Sequence, residues 1–158
     1  MTTLSIEKNK AQNAYRDADK NQKKLLENLF GAETFSQKIQ DRVKTFLDAC
    51  MELAIDPATF LPYQNPANSH ETGVNAAAKL FIICRALNGE WVPDWSNESE
   101  RKYYPWFEFK AGLGFSYNVF GASGTGTHAG SRLCFKTPEL AEYAGKQFAP
   151  IYNEYLTL

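Results

Sequence analysis

The chain has 158 residues, the usual size of one domain with its own hydrophobic core. Its 17 basic and 18 acidic residues leave a net charge of -1, so no global field would attract nucleic acid or an anionic membrane. No apolar run could span a bilayer and the first ten residues lack the apolar stretch of a secretory signal, which predicts a cytosolic protein without membrane insertion.

The first thirty residues are mostly polar and rich in helix formers, with Gly31 following as a stop signal. We therefore expect a polar helical arm over residues 1–30, followed by a single α+β domain over residues 33–158. The polar start of such an arm gains stability only by pairing with another chain or surface, so the sequence predicts a homo-oligomer.

The next part of the chain shows helical periodicity twice. Ser36 as N-cap and apolar residues spaced by three and four up to Leu53 predict one amphipathic helix that ends before Pro57. The proline- and asparagine-rich segment 56–69 is predicted to be a loop. Residues 72–88 are apolar on most sides, which predicts a buried central helix.

The second half of the chain shows strand-like alternation. Apolar residues alternate over residues 103–110, 113–119 and 131–136, which predicts a three-stranded antiparallel meander. The glycine-rich stretch between the last two strands would then be the tip of a hairpin. Helices, a small sheet and a final helix across that sheet together define an α+β fold.

The last helix has a clear start signal. Thr137 is a good N-cap and Pro138 suits the first helical position. Pro150 lies inside the apolar stripe and lacks a backbone donor, so it should kink or divide the helix near Lys146. We expect a kink rather than two helices.

The glycine-rich stretch GASGTGTHAG is the first candidate site. Backbone N–H groups exposed by glycine can bind an anion, with Arg132 and Lys136 supplying positive charge. However, the spacing matches neither the P-loop nor the dinucleotide fingerprint, so a flexible tip that contacts a partner is the favoured interpretation. The partner-binding residues predicted in this segment are Gly124, Thr125, Gly126, Thr127, His128 and Arg132.

An aromatic cluster is the second candidate site. Its members are Trp91, Trp95, Tyr103, Tyr104, Trp106, Phe107 and Phe109. Core packing explains most of them, because one face of a sheet must be apolar. The other face could anchor a protein partner through Tyr103, Tyr104 and Trp106. Alternatively, with Arg101, Lys102 and Lys110 beside it, the cluster could stack bases of single-stranded nucleic acid.

No set of residues with catalytic or metal-binding spacing is present. The three cysteines and two histidines are scattered along the chain, which argues against a zinc site, and the cysteines lie among apolar neighbours as expected of buried, reduced thiols. No carboxylate pair or nucleophile-base pair is recognisable. We therefore predict no metal, no cofactor and no enzymatic activity.

Several motifs resemble those of a known group of proteins. They are IQDRVKTFLDACMELAIDP, WVPDW, KYYPWFEF, GLGFSY, AGSRLCFKT and ELAEYAGKQF, in that order. Over residues 36–156 the chain is similar to a family of small proteins encoded in phages and prophage-like elements of gut Bacteroidetes, including crAss-like phages. That family has no assigned enzymatic activity, so the resemblance implies a phage context but no catalytic residue. Its members vary between the GFSY and GSRLCFK segments.

Two functions follow from these observations as hypotheses. The first is a non-enzymatic, virion-associated or adaptor module that binds other phage proteins or a surface through the hairpin loop and the aromatic face. It would occur in the host cytoplasm during infection, or in the virion. The alternative is an intracellular accessory protein that binds single-stranded nucleic acid or a nucleotide through residues 101–110 and Arg132.

Overall fold

The computed structural model describes residues 8–32, 35 and 38–157 of the chain. It contains both helix and sheet, as predicted. The chain divides into two compact units, Met1–Arg42 and Val43–Leu158.

The first unit contains three described helices: α1 (Lys8–Asp17), α2 (Lys20–Phe30) and α3 (Ile39–Arg42). Asp19 separates α1 from α2, because its carboxylate accepts hydrogen bonds from the backbone N–H groups of Asn21 and Gln22 at 2.8 and 2.9 Å. This capping box starts a new helix in the middle of the predicted arm. Tyr15 stacks on Phe35 with ring centroids 4.2 Å apart.

The single helix predicted to end at Leu53 is wrong, because the chain is interrupted after α3. Helix α4 (Phe46–Glu52) begins at a second N-cap, Thr45. The Thr45 hydroxyl accepts from the N–H of Asp48 at 3.1 Å, and the Asp48 carboxylate accepts from the N–H of Thr45 at 2.8 Å. This reciprocal cap holds Thr45 in an extended conformation and starts α4. The predicted N-cap Ser36 lies outside the described residues.

The predicted loop after α4 contains a short helix, α5 (Pro57–Phe60), capped by Asp56. The buried amide of Asn75 holds the rest of this segment in place. Its Oδ1 accepts from the N–H of Tyr63 at 3.1 Å, and its Nδ2 donates to the Tyr63 carbonyl at 2.8 Å. One side chain therefore satisfies both backbone groups of a loop residue.

Helix α6 (Ser69–Asn88) is the buried helix that the sequence predicts, and it begins three residues earlier than expected. Asn68 caps it by accepting from the N–H of Glu71 at 3.0 Å, and Gly89, with φ of 62°, ends it. Its buried residues are Asn75, Ala76, Leu80, Ile82, Ile83, Cys84, Ala86, Leu87 and Asn88.

The sheet has two strands, β1 (Lys102–Lys110) and β2 (Gly114–Ser123), which pair antiparallel. The predicted three-stranded meander is wrong, since residues 131–136 make only one bridge, between Phe135 and Tyr103. The segment is bound by helix α6 instead. The Asn88 Nδ2 donates to the Cys134 carbonyl at 2.8 Å and its Oδ1 accepts from the Lys136 N–H at 3.0 Å.

The C-terminal region forms two helices, α7 (Pro138–Gln147) and α8 (Ala149–Leu156), which pack on the sheet. The predicted start is confirmed, because the Thr137 hydroxyl accepts from the N–H of Leu140 at 3.3 Å. The predicted kink is wrong, because the chain divides completely at Phe148. Pro150 then occupies the first turn of α8, where its missing N–H costs no helical hydrogen bond.

Candidate functional site

A groove lies beside β1, between this strand, the loop after β2 and the end of α8. Its cavity volume is about 290 Å³. Its walls are formed by Tyr104, Pro105, Trp106 and Phe107 of β1, Phe115 of β2, His128, Ala129 and Leu133 of the loop, and Tyr152, Tyr155 and Leu156 of α8. Most of these side chains are aromatic or aliphatic. We call this feature the aromatic groove.

The aromatic groove has a buried floor and an exposed rim. Leu133 and Tyr152 are buried, and Tyr152 packs on Phe107 with ring centroids 4.7 Å apart. In contrast, Trp106 is 47% exposed and Tyr155 is 41% exposed. The floor is therefore fixed by core packing, whereas the rim presents large apolar surfaces to solvent.

Four consecutive residues of β1 border the groove, so it receives side chains from both faces of that strand. Phe107 lies on the face that packs against the helices. There its ring lies edge to face with that of Tyr117, with ring centroids 6.1 Å apart. Trp106 lies on the opposite face of the same strand. Asn153 fixes α8 to the sheet, because its Oδ1 accepts from the N–H of Phe115 at 2.9 Å.

The glycine-rich segment is a loop after β2 and not the tip of a hairpin. Its first residues, Gly121 to Ser123, belong to β2. The Thr127 hydroxyl accepts from the N–H groups of Ala129 and Gly130 at 3.1 and 2.8 Å, so two of its backbone donors are used internally. These two donors are therefore already engaged and do not contribute to an anion site.

The two cations predicted to assist an anion site make other contacts. The Lys136 ammonium group donates to the Asn88 carbonyl at 3.0 Å. The Arg132 guanidinium lies 5.8 Å from the centroid of the Phe81 ring. Neither contact is with the glycine-rich loop.

Three of the predicted partner-binding residues meet in the aromatic groove: Tyr104, Trp106 and His128. Tyr103 does not line the groove, and its ring lies against that of Phe120 at a centroid distance of 5.9 Å. The remaining predicted residues, Gly124, Thr125, Gly126, Thr127 and Arg132, do not line the groove.

The wall formed by α8 was missed by sequence reasoning. Tyr152, Tyr155 and Leu156 are spaced by three and four residues, so they share one face of a helix. This spacing predicts a shared helix face, but it does not reveal what that face contacts. Only Tyr152 of the three is buried.

Lys102 is fully buried, although the sequence suggested a surface cation for nucleic acid. Its ammonium group donates to the carbonyls of Asp94 and Asn97, lies 3.4 Å from the Glu100 carboxylate, and sits 5.3 Å from the centroid of the Trp95 ring. Lys102 therefore holds the turn before β1 and is not available to a ligand.

We expect Lys102→Met to lower the free energy of unfolding by about 2 kcal/mol, because it removes the buried ammonium group that bonds the carbonyls of Asp94 and Asn97 and pairs with Glu100. Arg101→Met is the control, since Arg101 is exposed and its change should stay within about 0.5 kcal/mol. Urea unfolding followed by circular dichroism measures both. Equal stability of the two variants would contradict a structural role for Lys102.

The three cysteines are buried free thiols, as predicted. Burial raises the pKa of Cys84 far above its usual value, and it raises the pKa of Cys134 to about 11. Because only the thiolate is a nucleophile, neither residue is suited to nucleophilic chemistry at neutral pH. The Cys84 thiol instead donates to the Cys134 carbonyl at 3.0 Å.

These raised pKa values predict alkaline destabilisation. In the unfolded chain both thiols lose their protons near pH 9.0, whereas the folded protein retains them to a higher pH. The unfolded state then binds fewer protons, so stability falls with rising pH by up to about 1.4 kcal/mol per thiol for each pH unit. Urea midpoints at pH 8 and pH 10 test this, and an unchanged midpoint would contradict it.

The part of the chain that the structure describes contains no group of three or more His, Cys, Asp or Glu side chains that could hold a metal ion. Within the same residues, every helix is too short or too polar to cross a membrane.

The second unit, Val43–Leu158, combines helices and a two-stranded sheet and carries the open aromatic groove. No protein-family model, no curated protein and no solved structure matches this chain.

Proposed function

We propose that the protein is a non-enzymatic phage or prophage module that binds another phage protein through the aromatic groove. The observation that carries this proposal is the convergence of Tyr104, Trp106 and His128 with Tyr155 around one open cavity. Exposed tryptophan and tyrosine side chains beside a fixed apolar floor are typical anchors of protein interfaces. The resemblance to phage-encoded proteins is the reason for the partner class.

The size of the groove favours side chains of a protein over a large cofactor. Its volume of about 290 Å³ is at the lower limit of small-molecule sites, which span roughly 300–1,000 Å³. One or two apolar side chains of a partner segment would fill such a space. The rim residues Trp106 and Tyr155 would then close over them.

Binding of single-stranded nucleic acid is the weaker proposal. Of the four basic residues that suggested it, Lys102 is buried beneath Trp95 and Arg132 lies over the ring of Phe81. Arg101 and Lys110 are separated by nine positions, about 30 Å along an extended strand. The groove itself has no lysine or arginine in its walls. The electrostatic term that dominates nucleic-acid binding is therefore small here.

The test is a peptide-display selection on the full-length protein, with a library tiled across the proteins of a gut Bacteroidetes phage. We expect selected peptides to bind at least about tenfold more weakly to Trp106→Ala and Tyr155→Ala, as for interface anchors. Tyr63→Ala is the control, because Tyr63 is a similarly exposed aromatic residue outside the groove.

Two results would overturn the proposal. One is a selection whose peptides bind all three variants and the wild type equally, which would put the binding surface elsewhere. The other is a selection without binders together with oligonucleotide binding that Trp106→Ala abolishes. That second result would favour the nucleic-acid alternative.

A further inference from the structure

The outer edge of β1, which faces away from β2, is largely unpaired. Within the described residues its only backbone pairing is the bridge from Tyr103 to Phe135, with N–O distances of 2.9 and 2.6 Å. Backbone N–H and C=O groups point to the two edges of a strand in alternate residues, so those of residues 105, 107 and 109 point to the same edge as those of Tyr103. Pro105 has no N–H, so the open donors and acceptors begin at Phe107.

The open part of this edge is also apolar. Phe109 is 64% exposed, and Leu113, in the turn that follows, is 75% exposed. The Phe109 ring lies edge to face with the Phe115 ring, with ring centroids 5.5 Å apart, and this contact fixes the orientation of Phe109. An exposed, unpaired strand edge with large apolar side chains is a template for pairing with another strand.

The outer edge of β2 is less suited to pairing. Trp106 pairs with Val119 and Phe107 with Tyr117, so Asn118 is an extra residue in β2. A bulge of this kind bends and twists the strand that contains it, which blunts its free edge. The regular edge is therefore that of β1.

In one pairing register of two β1 strands, each charged residue of one copy lies opposite a residue of opposite charge in the other. Glu108 and Lys110 are exposed and lie on the same face of the strand. When two copies of β1 pair antiparallel about a two-fold axis at Phe109, Glu108 of each copy lies directly opposite Lys110 of the other. A two-fold axis at Phe107 would instead place Glu108 opposite Trp106 and Lys110 opposite Tyr104.

We propose that two copies of this chain associate through their β1 edges, in antiparallel register about Phe109, to form a four-stranded sheet. The N–H and carbonyl groups of Phe109 in the two copies bond to each other across the axis, two Glu108–Lys110 pairs flank it, and the Phe109 side chains pack together. Because the aromatic groove uses only residues 104–107 of β1, the dimer does not rest on the proposed function.

The test is sedimentation equilibrium of the full chain over a range of concentrations. We expect a reversible dimer whose dissociation constant rises at least about tenfold in Glu108→Lys and in Lys110→Glu, because each change places like charges opposite each other twice. The double variant Glu108→Lys/Lys110→Glu restores opposite pairs, so its dissociation constant should return to within about threefold of wild type. Glu90→Lys, at an exposed site away from β1, controls for net charge and should have no effect.

A wild-type chain that stays monomeric at all concentrations would overturn this proposal. A dimer that the single charge reversals leave unchanged would also overturn it, because the interface would then lie elsewhere. A double variant as weak as the single ones would exclude the proposed register. Circular dichroism verifies that each variant is folded, as expected for exposed positions.

Discussion

Replacing Asn88 with alanine is expected to lower the free energy of unfolding by about 3 kcal/mol. The side chain is 5% exposed, at the end of α6. Its amide donates to the Cys134 carbonyl at 2.8 Å and accepts from the Lys136 N–H at 3.0 Å. Truncation leaves the Lys136 N–H without its acceptor, which costs about 1–3 kcal/mol, and it leaves the Cys134 carbonyl with only the weak donor of the Cys84 thiol.

Asn75→Ala is the matched comparison for this prediction. Asn75 lies in the same helix, is also 5% exposed, and likewise bonds both backbone groups of a distant segment, at Tyr63. However, Tyr63 lies in an exposed loop where water can replace the amide, so a cost of about 1 kcal/mol is expected. Urea unfolding followed by circular dichroism compares the two. An Asn88→Ala variant no less stable than Asn75→Ala would show that Asn88 does not organise residues 134–136.

This role of Asn88 also explains why the predicted third strand does not form. The alternation of residues 131–136 is real, since Leu133 and Phe135 are buried. However, alternation reports which side chains are buried and not where the backbone hydrogen bonds go. Here an amide from a helix more than forty residues earlier in the chain binds the segment, and no local pattern encodes such a partner.

Local signals predicted helix ends better than apolar periodicity predicted helix lengths. Thr137 starts α7 at the position that its capping chemistry indicates. The apolar spacing up to Leu53, in contrast, continues across Thr45, where a capping box divides the helix. The Thr-x-x-Asp pattern was present in the sequence, so a stricter use of capping rules would have found this break.

The sequence also indicated only part of the candidate site, because it reveals residue types but not how the helices pack. Tyr104, Trp106 and His128 were identified by residue type, because large aromatic side chains in a half-buried strand and a histidine in a loop are visible in the sequence. The wall from α8 depends on how that helix packs against the sheet, which no local pattern determines. Lys102 was misinterpreted because the carbonyl groups that surround its ammonium group come from an irregular turn.

Replacing Gly145 with alanine is expected to lower the free energy of unfolding by about 2–3 kcal/mol, although alanine is the better helix former. Gly145 is buried in α7 where that helix crosses the sheet. An added Cβ would lie 2.3 Å from the Cδ2 of Tyr117 and 2.8 Å from the Cβ of Pro105. The Tyr117 ring is held edge to face against Phe107, and the Pro105 Cβ is fixed by its own ring, so the helix must move away from the sheet.

Gly73→Ala is the control that separates steric contact from helix propensity. Gly73 also lies inside a helix, α6, but a Cβ there would be 3.6 Å from the Glu154 carbonyl oxygen, an ordinary contact distance. Its replacement should therefore raise stability by about 0.5–1 kcal/mol. Thermal unfolding should show a lower midpoint for Gly145→Ala and a higher midpoint for Gly73→Ala than for the wild type. If both substitutions stabilised the protein, α7 would not approach the sheet as closely as the Tyr117 and Pro105 distances require.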